Sequence, residues 1–96
     1  MPATTEAYCN LTLTRKDWLA FADALHRTKN PACVQAAHTI NRQLMSCDGE
    51  RMSIDREVDK WISVQGAAMK VAKPAEMGAM KRIIPQISAA KFTRVD

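Results

Sequence analysis

Residues 53–72 read SIDREVDKWISVQGAAMKVA, and the fold turns on how this stretch is taken. Ser53 offers a hydroxyl at a helix start, and Asp55 and Glu57 suit the positive amino end. Lys70 and Lys73 suit the carboxyl end. Ile54, Val58, Trp61, Ile62, Ala68 and Met69 fall on one side at about 100° per residue, with Gln65 as the one polar member. Gly66 lies off that face and costs ~1 kcal/mol relative to Ala, which a packed helix tolerates. The stretch therefore predicts a helix over 53–72, the longest in the chain.

The flanking segments have their own start and stop signals. Asn30-Pro31 supplies a cap followed by a proline at the first helical position. Cys33, Ala37, Ile40, Leu44 and Cys47 then recur at helical spacing, which predicts a helix over 31–46 that ends before the turn Cys47-Asp48-Gly49-Glu50. Thr14 with Asp17 three residues on forms a variant of the capping box. Trp18, Leu19, Phe21, Ala22 and Leu25 follow on one side, predicting a helix over 14–29, because Pro31 keeps Asn30 out of helical geometry. Lys73-Pro74 repeats the proline-first signal, and Met77, Met80, Ile83 and Ile84 predict a fourth helix over 74–84 that Pro85 ends. Residues 86–96 read either as another helical turn or as an extended tail pinned by Ile87 and Phe92.

At the other end, Cys9, Leu11 and Leu13 alternate with Tyr8, Asn10 and Thr12, the period of a strand. No partner strand is evident, so an extended segment lying across helices is an equal reading. The expected architecture is all-α: a small four-helix domain over 14–96, preceded by a flexible or extended segment over 1–13. Leu19, Ala22, Leu25, Ala37, Ile40, Leu44, Val58, Trp61, Ile62 and Met69 are its expected core. Trp18 and Trp61 sit at the centres of apolar arcs and read as core residues packing against each other's helix.

Ninety-six residues with 47% hydrophobic and 25% charged content describe one ordinary globular domain. Three cysteines cannot all pair within one chain, and no signal peptide precedes them, so free thiols in a cytoplasmic setting are expected. No apolar run is long enough to span a membrane. The net charge of +4 favours encounter with an acidic protein or with nucleic acid.

No chemistry-bearing motif emerges. Cys33 and His38 stand about 140° apart around one helix and cannot converge on a metal, so no metal or other cofactor is expected. His26 or His38 near a cysteine would make a nucleophile only if a pocket lowered the thiol pKa, and Cys33 lies on the buried face. Asp55, Glu57 and Asp59 alternate with Arg56 and Lys60, the pattern of a solvated, salt-bridged surface. The three glycines are scattered and cannot form a phosphate loop. The reading is non-enzymatic.

From Lys60 to Asp96 there are seven Lys/Arg against two acidic residues. This basic region contains more apolar residues than a small core needs. A partner-binding surface is therefore expected at Met77, Met80, Lys81, Arg82, Ile84, Ile87, Lys91, Phe92 and Arg94. The function expected is that of a small regulator or inhibitor binding a host or cognate protein, an acidic one by charge; accessory and anti-defence factors of phages and mobile elements are often of this type. A homodimer fits the same surface. The alternative is a basic helical nucleic-acid-binding protein, although no helix-turn-helix pattern is present.

Overall fold

The computed structural model describes residues 8–92, with side-chain surroundings described to residue 89. The chain runs β1 (Tyr8–Thr14), α1 (Arg15–Arg27), α2 (Pro31–Ser46), β2 (Arg51–Glu57), α3 (Val58–Val71), a 3₁₀ turn at Pro74–Glu76, and α4 (Met77–Phe92). It is a small, mostly helical α+β domain, which corrects the all-α expectation. The overturning element is β2. Residues 51–57 pair antiparallel with β1, Tyr8 opposite Glu57 and Thr14 opposite Arg51.

The physical reason lies in two periods that overlap at Ile54. Its spacing to Val58 and Trp61 is helical, but Met52 and Ile54 also alternate with Arg51, Ser53 and Asp55. Pairing with β1 buries Cys9, Leu11 and Leu13 together with Met52 and Ile54 on one face of the ladder. A helix starting at Ser53 would have left β1 without a partner. Ser53 consequently caps nothing; its hydroxyl lies 2.7 Å from that of Thr12 on the exposed face. The helix begins at Val58 instead, with Glu57 at the cap position and no side-chain cap bond.

Other signals hold. Thr14 accepts from the Asp17 amide, and Asn30 accepts from the Ala32 amide ahead of α2. Helix α1 ends with Lys29 at φ 57°, a left-handed position that glycine fills at least cost. Lys29→Gly is expected to raise stability by about 1 kcal/mol, read as a higher urea midpoint.

The core forms where α1, α3 and α4 pack on the apolar face of the strands. Trp18, Phe21 and Trp61 meet in a triangle, with ring centroids 6.0–6.2 Å apart. Each indole braces a different strand: Trp18 donates to the Met52 carbonyl at 2.7 Å, and Trp61 to the Cys9 carbonyl at 3.0 Å. Of the expected core, Leu19 and Ile62 are exposed and Met69 is half-buried, while Val64 and Met80 are inside.

Pro85 does not end α4. The helix continues to Phe92, with Pro85 and Lys81 both exposed, so the missing Pro85 amide falls on the solvent side of the helix. Continuation buries Ile87 beside Met80 and Ile83 and brings Gln86 to β1. There the Gln86 side chain accepts from the Thr12 amide and donates to the Thr12 carbonyl, both at 2.8 Å. One side-chain amide thus stands in for a neighbouring strand.

A candidate basic groove between helices two and three

Helix α2 presents Ala32, Gln35, His38, Thr39 and Arg42 along one face, and α3 presents Lys60, Ser63 and Val64 towards it. With Arg56 of β2 they line an open groove of about 690 Å³. The cause is local. Ala32, Thr39, Ser63 and Val64 are too small to close the gap between the two helices.

Three cations line the groove and no lining residue is acidic. Arg56 is half-buried, and its guanidinium lies over the Trp61 ring, 5.6 Å from the centroid. Anchored on a core indole, it presents its charge with little freedom to swing away. Lys60 reaches back to Glu57 at 3.2 Å, an exposed pair that holds little energy. His38 packs edge-on against His26, with centroids 5.2 Å apart. Gln35, Thr39 and Ser63 add neutral hydrogen-bonding groups. Such a set offers donors to carboxylate or phosphate oxygens, and the Thr39 hydroxyl donates to the Gln35 carbonyl.

A second, smaller concavity of about 290 Å³ lies between β1 and α4, where Thr12, Asp17, Arg51, Lys81, Arg82 and Gln86 gather. Four of its polar side chains, those of Thr12, Asp17, Arg82 and Gln86, are engaged within the fold. Arg82 makes a two-pronged ion pair with Asp17, at 2.5 and 2.8 Å, and Gln86 holds Thr12. The Arg82 guanidinium holds the buried Asp17 carboxyl below the usual carboxylate range, against the opposing effect of burial. Glu76 is similar. Burial pushes its pKa up, but the Lys73 amide and the Arg27 guanidinium outweigh that and leave it lowered.

The expected partner surface on α4 is not assembled as a face. Met80 and Ile87 are buried in the core and Met77 is half-buried against it, which corrects their placement on an exposed surface. Met80, Ile83 and Ile87 are used to cover the strands, α1 and α3. Lys81 and Ile84 remain exposed, and Arg82 is exposed but tied to Asp17. The side chains of Lys91 and Phe92, and Arg94 altogether, lie outside the described residues. The basic region also divides. Lys60 lines the groove with Arg56 of β2, whereas Lys81 and Arg82 line the other concavity.

Sequence reasoning missed the α2 wall. Its signal was available: Gln35, His38, Thr39 and Arg42 repeat at helical spacing opposite the apolar stripe. The cysteines stay apart from the groove. Cys9 and Cys33 are buried, and burial together with Asp55 raises the Cys9 thiol pKa. Among the described residues no group of three His, Cys, Asp or Glu side chains is placed to hold a metal, and no helix is long and apolar enough to cross a membrane. Comparison with protein-family models, curated proteins and solved structures finds no match for this chain.

Proposed function

We propose that the chain is a small non-enzymatic regulator or inhibitor that binds an acidic segment of a partner protein in the α2–α3 groove. The observation that carries this reading is the convergence of Arg42, Arg56 and Lys60 on one groove without an acidic lining residue. Charges so placed attract carboxylates over a distance and then bond them directly. The neutral donors between them suit the polar groups of a peptide. A phosphate backbone is favoured less, because Arg51, Lys81 and Arg82 line the other concavity instead of continuing the groove as a track.

Fluorescence anisotropy with an Asp/Glu-rich peptide, and separately with single-stranded and duplex DNA, tests the reading at two salt concentrations. The peptide is expected to bind the wild-type chain, and Arg42→Glu combined with Lys60→Glu to weaken it by about tenfold or more. DNA bound more tightly than peptide, with a steep salt dependence, would transfer the groove to nucleic acid. Failure to bind either would remove the groove as the working surface.

A further inference from the structure

The two edges of the sheet are treated differently. Thr12 gives both its main-chain groups to Gln86, so they point away from β2. Thr12 stands opposite Ser53, and directly opposed residues of an antiparallel ladder point their amides and carbonyls the same way, inward or outward together. The main-chain groups of Ser53 therefore point outward from β2. The alternation of the ladder places those of Arg51 and Asp55 on the same outer edge. Among the described residues, nothing hydrogen-bonds to the main chain of Ser53 or Asp55. Only the Arg51 carbonyl is approached, by the Cys47 thiol at 3.8 Å, and it keeps a second lone pair. The outer edge of β2 is open at Ser53 and Asp55 and partly covered at Arg51, where Cys47 and Gly49 fold against its main chain.

Open edges are usually blunted by like charges that repel another strand. This edge has opposite charges, symmetrically placed. Arg51 and Asp55 flank Ser53 at equal spacing, and all three are exposed. We propose that the occupant is a second copy of this chain, joined through antiparallel pairing of β2 with its counterpart about a two-fold axis at Ser53. In that register Ser53 faces its own copy and exchanges both main-chain hydrogen bonds. Arg51 then lies opposite Asp55 of the other copy, twice by symmetry. Met52 stands opposite Ile54 on the helix-bearing side, and Glu57 keeps its contact with Lys60. The product is a four-stranded sheet in the order β1-β2-β2-β1, built from two chains that each hold two strands. A lone two-stranded ladder is marginal, and doubling it adds hydrogen bonds without moving the core.

Sedimentation equilibrium and light scattering on the full chain, across a concentration series, test the proposal. Wild type is expected to form a concentration-dependent dimer. Ser53→Pro removes an amide that β1 does not use and is expected to give a folded monomer, with folding followed by circular dichroism. Arg51→Asp and Asp55→Arg, made singly, place like charges opposite each other and should each weaken self-association about tenfold. Mixed in equal amounts, those two variants are complementary and should recover the dimer as a heterodimer. A wild-type chain that stays monomeric, or a dimer indifferent to Ser53→Pro and to the charge exchange, overturns the proposal. Neither result bears on the basic groove, whose lining residues are unchanged in these variants.

Discussion

Trp61→Ala is expected to leave the chain largely unfolded in dilute buffer at 25 °C. Truncating a buried tryptophan costs roughly 3–5 kcal/mol through lost contacts and the cavity left behind. Here two further losses add to it. The ring is one corner of the Trp18–Phe21–Trp61 triangle, so its removal strips contacts from both other rings. Its indole N–H also supplies the hydrogen bond to Cys9 that ties α3 to β1. Domains of this size have total stabilities near the low end of about 5–15 kcal/mol, so the sum is comparable to the whole. Urea titration followed by circular dichroism measures it, with Trp18 fluorescence as a second probe. Trp61→Phe separates the causes: it restores most of the apolar volume, lacks the N–H, and should retain a cooperative transition at a lower midpoint. If Trp61→Ala melts like wild type, the triangle is not the keystone of this core.

The second large effect is expected from Arg82→Met. The methionine stem keeps the packing of α4 over β1 but leaves Asp17 buried without its cation. An unpartnered buried carboxylate is strongly unfavourable, so the variant should melt several degrees below wild type at neutral pH. The pH dependence identifies the cause. In the wild type Arg82 holds the Asp17 pKa below its unfolded value, so the unfolded chain takes up the proton first as pH falls. The stability from this pair is therefore whole above pH ~4 and disappears as pH drops through the native value. Glu76, whose pKa is also lowered, acts in the same window and the same direction. In Arg82→Met the carboxyl can be buried neutral instead, and the gap between variant and wild type should narrow on acidification. Melting curves from pH 7 down to pH ~3 follow it; a gap that stays constant would place the loss in packing rather than charge.

Helices α1 and α2 were legible because their ends carry local signals. Thr14, Asn30 and Pro31 act within a few residues, and the structure realises each as a cap or first turn. What failed was decided at a distance. Whether Ile54 belongs to a strand or to a helix depends on Leu11, its opposite number more than forty positions earlier in the chain. Pro85 failed for a related reason. Its local preference to stop the helix is outweighed by Ile87 entering the core and by Gln86 reaching Thr12. The groove was half legible. Arg56 and Lys60 were visible as charges of a solvated face, but their convergence with Arg42 depends on where α2 packs beside α3, which no local signal encodes.

Gln86 carries one more implication. It occupies the Thr12 main chain on a border of β1 that α4 packs along, so the proposed pairing has the opposite border of the sheet to use. An added copy can join on the far side, and it then presents an α4-lined border of its own. In the proposed pairing, growth would stop at two chains and not run on into a fibre, because α4 with its glutamine lies along each outer border.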